Sequence, residues 1–406
     1  MSPLRIALVC LHTSPGTEPG SGDAGGMNVV VRQQALALGA LGHDVEILTR
    51  RSSPSQPDAM AVGDGVTLRV LTAGPARELP KGEHEAWIDA FGDALRGEGP
   101  WDVIHSHHWF SGMAALPVAR ERGIPHLQSF HSIAAPDHSP LSDGERAESP
   151  GRLAGEAMLA RASDGIVAVS TAEASTAVDR LGADPRTVAV VRPGVDSVLF
   201  HPEAAGAARP RAEFVVAARL HPLKGIALAV EALALLPRAL GAHLVVAGSG
   251  SAEVPGYRTD LEADAARLGV ADRVRFVGAL SRPELAVLFR GASAVLVPSY
   301  SETFGLVATE ASASGVPVIA SAAGGLIEAV DDDATGRVIA DRDPGHWADA
   351  MTTVLTDLPR AARWGEEGRR RALARGWDVS AAELAETYAA AVDGIPLPLA
   401  LGRGLR

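Results

Sequence analysis

Two glutamates eight positions apart carry the strongest chemical signal in this chain, in the string Pro298-Ser299-Tyr300-Ser301-Glu302-Thr303-Phe304-Gly305-Leu306-Val307 through Glu310. The string reads as a strand–loop–helix junction, with Glu302 in the loop and Glu310 about one turn into the helix. Both carboxylates can then face one ligand at the positive end of the helix, while the amides of Phe304, Gly305 and Leu306 cradle phosphate oxygens. Carboxylates accept hydrogen bonds from sugar hydroxyls, so one at each end of an anion-binding turn suits a nucleotide sugar. Glutamates at a helix start also serve as plain dipole partners, but that role does not account for the whole string. Ahead of it, Arg219 follows an apolar run and Lys224 sits five residues on in Arg-Leu-His-Pro-Leu-Lys-Gly. Two cations there can neutralise a diphosphate leaving group as charge builds on it, although Lys and Arg are more often solvated surface charges. Near the N-terminus, Gly22-Asp23-Ala24-Gly25-Gly26-Met27-Asn28 precedes a helix expected to open at Val29. Paired glycines let backbone N–H groups approach an anion at a helix start; the bland alternative is an ordinary β–α turn, and the spacing is not a dinucleotide fingerprint.

These loops need a scaffold, and the pattern of the chain supplies one. Short apolar runs at 5–11, 44–49, 66–71, 103–107, 126–130, 165–170 and 188–191 alternate with helical stretches. The alternation restarts at 213–218, 243–248, 273–278, 292–298, 317–320 and 336–340. This predicts an α/β chain of two Rossmann-like doubly wound parallel-sheet domains facing across a cleft, residues 1–195 and 196–406. In such sheets ligands bind beyond the carboxyl ends of the strands, where all three loops fall. The boundary is set at Arg192-Pro193-Gly194-Val195-Asp196, a punctuated hinge. A terminal helix at about 380–392 can pack on either domain, including back on the first. The segment 136–150 lacks periodicity and reads as a loop beside the cleft.

Composition narrows the function. A length of 406 residues suits two domains, and 47% hydrophobic residues with only 4% aromatic ones suit cores of Ala, Val and Leu. A formal net charge of −12 without a basic run argues against a nucleic-acid partner. One cysteine, Cys10, excludes an internal disulfide, and no apolar tract is long enough to span a bilayer. The first strand follows the start directly, so the chain reads as cytoplasmic with no targeting segment. A homodimer is left open. Asp331-Asp332-Asp333 precedes Ala334-Thr335-Gly336 and reads as a solvated turn, not a metal site. His105 and His107 alternate within a strand and read as packed side chains. No cofactor is required; Mg2+ is compatible, but no motif implies it.

Taken together, Glu302 to Glu310, Arg219 and Lys224 ahead of it and Gly324-Gly325 behind it resemble the family-four retaining glycosyltransferases of the GT-B fold, over nearly the whole chain. Within that family, His12-Thr13-Ser14-Pro15, the Gly22 to Val29 loop and Glu302 to Ala308 are most similar to the enzymes that glycosylate inositol 3-phosphate in mycothiol biosynthesis. Sucrose-phosphate synthase-like relatives share parts of the Gly-Gly loop. The resemblance implies a hexosyltransferase with a UDP-sugar donor, N-acetylglucosamine for that branch, and a small polar acceptor such as 1D-myo-inositol 3-phosphate.

Carried over by motif, Glu302 binds donor sugar hydroxyls, Glu310 the ribose, and Arg219 and Lys224 the diphosphate, with Gly26 beside it. Lys81, Arg152, Ser132 and His108 match positions that hold the acceptor phosphate, and His12, Asp23 and Asn28 fall on inositol-contacting positions. His131 matches the active-site histidine near the transferred sugar. The implied mechanism is a front-face displacement in which the leaving phosphate takes the acceptor's proton. Departures are His108 for a tyrosine, Ser132 for a threonine, Glu18 for a neutral residue and Leu280 for an arginine near the nucleotide. The competing readings are the same chemistry on a neutral polyol, sugar or thiol, a nucleotide-sugar epimerase or hydrolase, and a non-catalytic nucleotide-sugar-binding protein.

Overall fold

The computed structural model describes residues 2–17, 25–203, 212–251 and 253–398; Glu18 and Asp23 lie outside them. The first sheet comprises β1 (Arg5–Cys10), β2 (Asp44–Arg50), β3 (Ala59–Gly63), β4 (Val66–Leu71), β5 (Val103–His107), β6 (His126–Ser129), β7 (Gly165–Ala168) and β8 (Val188–Val190). Their order is β3-β4-β2-β1-β5-β6-β7-β8, parallel throughout except for β3 against β4. The second sheet is wholly parallel: β9 (Glu213–Ala217), β10 (His243–Ala247), β11 (Val274–Gly278), β12 (Ala294–Val297), β13 (Val318–Ser321) and β14 (Gly336–Ile339), ordered β11-β10-β9-β12-β13-β14. The helices are α1 (Gly26–Ala40), α2 (Ile88–Arg96), α3 (Trp109–Arg122), α4 (Arg152–Ala162), α5 (Thr171–Asp179), α6 (Ile226–Leu235), α7 (Tyr257–Arg267), α8 (Arg282–Gly291), α9 (Leu306–Ala313), α10 (Leu326–Ala329), α11 (Pro344–Thr356), α12 (Leu358–Leu373) and α13 (Trp377–Val392). Two α/β domains result.

The central strands are apolar without alternation because helices cover both faces. In β1, Ile6, Leu8 and Cys10 pack with residues of α1 and α13, while Ala7 and Val9 face the opposite core with Phe91, Phe110 and Leu116. In β12, Leu296 joins the core of Trp347 and Trp364, and Val295 joins that of Phe289 and Val318. Each sheet reverses its winding at one point, between β1 and β5 in the first and between β9 and β12 in the second. Loops leaving two adjacent strands in opposite directions open a crevice there. The loops after β1, β5, β9 and β12 are therefore the ones that carry His12, His108, Arg219 and Glu302. Strand β3 was not expected from the sequence. Its residues Ala59–Gly63 are an exposed to half-buried edge, so no buried face imposes a pattern on them.

The last helix settles where the terminal periodicity packs. The chain crosses back beside the linker, where Val195 N–H donates to Arg375 O at 3.0 Å, and α13 then lies against the first sheet. Its Tyr388 is fully buried and its hydroxyl is 2.7 Å from His105 Nδ1. The Asp331–Asp333 turn is exposed, as expected, and is also ion-paired, with Asp333 accepting from Arg360 at 2.6 Å and Asp331 2.6 Å from Arg371. No helix among the described residues is long and apolar enough to cross a membrane.

The turn after β9 docks on the end of β12 only because Gly225 lacks a side chain. Its φ is +62°, and a Cβ there would stand 1.9 Å from the Pro298 carbonyl oxygen. Gly241 has nearly the same φ, +61°, with nothing within 4 Å of the corresponding position. Gly241→Ala should therefore cost only the left-handed penalty, about 1 kcal/mol. Gly225→Ala should cost at least about 2 kcal/mol more, because backbone must move. Denaturant unfolding of the two variants checks this; equal losses would mean that the Gly225–Pro298 contact constrains nothing.

Candidate active site between the two sheets

A cavity of about 430 Å³ lies between the carboxyl ends of the sheets. From the second sheet, β9 runs into Arg219 and then a 3-10 turn, Pro222–Lys224, whose start is capped by His221 Nδ1 accepting from Leu223 N–H at 3.1 Å. That turn aims Lys224 at the loop after β12. Lys224 Nζ donates to Glu302 Oε1 at 2.7 Å, and Ser299 Oγ donates to the same oxygen at 2.8 Å. The Glu302 loop is held from behind by Gly324-Gly325. Gly325 N–H donates to Glu302 O at 2.9 Å, and a Cβ on Gly324 would stand 2.1 Å from that oxygen.

Glu310, on α9, is 4% exposed and accepts from Arg282 Nη1 at 2.8 Å. Burial raises its carboxyl above the ordinary range, and Arg282 only partly offsets this. Arg282 was not recognised from sequence. It stands two residues beyond Leu280, where the resemblance leads one to expect an arginine, and both line the cavity. A guanidinium is thus supplied from the next turn of chain, and the displaced register hid it.

Two helix starts meet in the cavity. Helix α1 begins at Gly26 with Gly25 as an uncapped N-cap, and α9 begins at Leu306 with Gly305 as an uncapped N-cap. A Cβ on Gly26 would stand 3.4 Å from Leu306 Cδ1, so the positive ends of both helices lie side by side. Phe304, Gly305 and Leu306 line the cavity as expected. The α1 helix opens at Gly26, three residues earlier than the sequence suggested.

From the first sheet, His12, Asn28, Lys81, His108, His131 and Ser132 all line the same cavity. Asn28 is 1% exposed and donates to Thr13 Oγ1 at 2.9 Å and Ser14 O at 2.7 Å, which ties the β1 loop to α1. His12 Nδ1 and both ring nitrogens of His108 are buried without a hydrogen-bond partner. Burial, reinforced by neighbouring cations, lowers both rings' affinity for a proton well below the usual imidazole range, so both are neutral. Burial likewise lowers His131 to about 3. Its backbone has φ +60°, its Nε2 is 2.8 Å from His107 Nδ1, and its carbonyl accepts from Thr303 Oγ1 of the second sheet at 2.6 Å. His107 is therefore more than a packed strand residue, whereas His105 is paired to Tyr388 and Ser129.

Arg152 sits elsewhere than the sequence suggested: it does not line the cavity. It is fully buried and bonded to Glu148, to Glu156 Oε1 at 2.7 Å, and to Ser132 Oγ at 2.9 Å and Ser132 O at 3.0 Å. It sets the position of Ser132 from behind. Lys81 is 3.5 Å from Glu145 and 4.0 Å from Glu148. The cluster of Lys81, Arg152, Ser132 and His108 is thus assembled around carboxylates of the loop at 136–150. That loop gave no sequence signal beyond its lack of periodicity. No group of three or more His, Cys, Asp or Glu that could hold a metal ion occurs among the described residues.

Residues 25–194 match the family model described as "Glycosyl transferase 4-like domain", and residues 200–371 match "Glycosyl transferases group 1". A D-inositol 3-phosphate glycosyltransferase of Stackebrandtia nassauensis is 40% identical over 96% of this chain and 92% of its own length. The enzyme of that name from Mycobacterium avium is 40% identical over 96% of this chain and 95% of its own. Sucrose-phosphate synthase of Thermosynechococcus elongatus has a structure similar to this one, with a TM-score of 0.86 at 28% identity over 96% of this chain and 100% of that one.

A buried carboxyl stands behind His131. Glu173 accepts from Val169 N–H at 2.7 Å and faces the N–H of His131, and burial pushes it up to about 7. A carboxyl raised on folding binds more protons in the native state, so it favours folding at low pH. That contribution is lost as pH rises from about 4.5 toward about 7. Glu173→Gln should remove a decline on the order of 2–3 kcal/mol across that window. Unfolding free energies of both proteins at pH 5 and pH 8 test this; parallel pH profiles would show that Glu173 is ionised throughout.

Proposed function

The chain belongs to the family-four glycosyltransferases of the GT-B fold and is a hexosyltransferase, and we propose that it moves N-acetylglucosamine from UDP to 1D-myo-inositol 3-phosphate with retention of configuration. The observation that carries the reading is the junction of α1 and α9 beside Arg219, Lys224 and Glu302: two positive helix ends, two cations and a carboxylate in one cavity. The names of the similar enzymes support inositol phosphate as acceptor.

In this reading Arg219, Lys224 and the free amides of α1 and α9 hold the diphosphate, Glu310 the ribose hydroxyls and Glu302 hydroxyls of the sugar. The acceptor hydroxyl attacks the anomeric carbon from the face that the diphosphate leaves. The departing phosphate oxygen takes its proton, and the cations stabilise the charge that grows there. Retention by this route is supported by the state of the carboxylates. Glu302, Glu310 and Glu145 are each bound to a cation, which disfavours any of them as base or nucleophile. His131, held neutral, offers its ring near the sugar.

A second reading has its own observation. Arg152 is fully compensated by Glu148 and Glu156 and does not reach the cavity, which leaves Lys81 as the first-sheet cation there. A neutral polyol, sugar or thiol acceptor fits such a pocket. A donor-by-acceptor activity matrix separates the two. UDP-N-acetylglucosamine with the inositol phosphate should be the best pair, and Lys81→Ala should lower kcat/KM for it by about tenfold or more with little change in UDP affinity. Proton NMR of the product should show the donor's anomeric configuration, and turnover should survive a chelator. Equal turnover of free inositol with a silent Lys81→Ala would hand the acceptor to the second reading, and an inverted product would remove the front-face mechanism.

A further inference from the structure

The loop at 136–150 carries a carboxylate into the middle of the cleft. Glu145 Oε1 is 3.2 Å from Arg219 Nη2, and Oε2 is 3.5 Å from Lys81 Nζ. These cations come from different sheets, Arg219 after β9 and Lys81 at the start of the 3-10 helix Lys81–Trp87 that follows β4. Glu145 therefore ties the donor side of the cavity to the acceptor side through one side chain. Its own backbone is fixed: Ala135 N–H donates to Glu145 O at 2.7 Å, and Arg146 bonds the carbonyls of Pro136 and Ser139. Gly144 before it has φ +113° and lies against the Ile133 carbonyl. Burial acts to raise the Glu145 carboxyl, but Lys81, Arg219, Arg152 and Lys224 together outweigh it and bring it down to about 2. The group is ionised at any working pH.

We propose that Glu145 is an affinity-limiting counter-ion, an internal anion that competes with substrate phosphates for Arg219 and Lys81 and so limits nucleotide affinity. The proposal rests on the reading of Arg219 and Lys224 as the diphosphate site. A diphosphate that takes Arg219 must pull it from Glu145, which keeps its contact with Lys81. An anionic acceptor that takes Lys81 meets the same carboxylate. Once transfer is complete and the proton taken up by the leaving phosphate has passed to water, the nucleoside diphosphate carries one more negative charge than the donor's diester did. Repulsion from a fixed carboxylate then favours its departure. Without Glu145 the cations would be freer, and product would linger.

The test is UDP binding by calorimetry to the full-length protein and to Glu145→Gln, Glu145→Asp and Arg219→Ala, with product inhibition by UDP measured in parallel. Glu145→Gln should bind UDP at least about threefold more tightly, and the gain should shrink at high salt, since it is electrostatic and the pair is partly exposed. Inhibition by UDP should strengthen to match. Glu145→Asp, which keeps the charge, should stay close to the parent, whereas a purely structural role for the side chain would disturb both variants alike. Arg219→Ala should weaken UDP binding. Unchanged or weaker UDP binding in Glu145→Gln, with Arg219→Ala still impaired, would overturn the counter-ion role alone. If Arg219→Ala also bound UDP normally, the diphosphate site itself would be misassigned, and the proposal would fall with it.

Discussion

Cations cannot be collected in a water-poor cleft without counter-charge, because an unpaired buried charge costs several kcal/mol, on the order of 3–5 when a partner is missing. That constraint organises this site. Lys224 is held by Glu302, Arg282 by Glu310, Arg219 by Glu145, and Arg152 by Glu148 and Glu156. Each pair fixes a long, flexible side chain in place before any ligand arrives. The cost of ordering it is met in folding and not in binding. The pairs are also unequal. Arg152 and Glu156 are wholly buried and form part of the architecture, whereas Arg219 and Glu145 remain about 30% exposed at 30% and 29%, within reach of a competing anion.

The same economy of contact joins the two sheets. Thr303, one residue beyond Glu302, donates to the carbonyl of His131, so the Glu302 loop and the first-sheet histidine are positioned against each other at 2.6 Å. Behind that loop, Gly324-Gly325 leads into α10, whose Glu328 reaches the other domain. Its carboxylate accepts from Thr171 N–H at 2.7 Å and Ala172 N–H at 3.3 Å at the start of α5, and Arg192 lies 2.7 Å away. A carboxylate at a helix N-terminus satisfies amides that have no partner within the helix. The Glu302 loop is thus linked through a few residues to a capping contact across the interface, beside the linker between the domains. Helix α13 adds a second crossing, with Tyr388 buried against the first sheet.

What the sequence made legible follows from where physics leaves a local mark. Strands buried on both faces announce themselves as unbroken apolar runs, and the loops after β1, β9 and β12 carry glycines and charges at close spacing. Gly26, Arg219, Lys224, Glu302 and Glu310 were accordingly found and do share one cavity. Residues that work through distant partners left no such mark. Glu145 lies 74 positions from Arg219, and Glu328 lies 157 from Thr171. Arg152 was expected in the acceptor pocket but does not line it: Glu148 and Glu156, four residues to either side, pair with it and hold it buried behind Ser132. Arg282 was hidden by a shift of two residues from Leu280. Strand β3, exposed at its first three positions and half-buried at its last two, had no pattern to show.

The histidines sharpen what the protein itself contributes to chemistry. His12, His105, His107, His108 and His131 crowd the first-sheet side, and burial lowers the proton affinity of every one. A neutral imidazole donates from one nitrogen and accepts at the other, so the three of these rings that line the cavity, His12, His108 and His131, can read hydroxyl groups in either sense without adding charge. His131 takes a left-handed backbone conformation that costs a non-glycine residue on the order of 1–3 kcal/mol. Three contacts hold it there: Thr303 on its carbonyl, His107 on its ring and Glu173 facing its N–H. Strain retained at one residue by partners from both domains is the mark of a position whose geometry matters more than its acidity. Under the proposed reaction the division of labour follows: proton transfer stays between the two substrates, charge is met by Arg219, Lys224 and the helix ends, and the neutral histidines fix which hydroxyl faces the anomeric carbon.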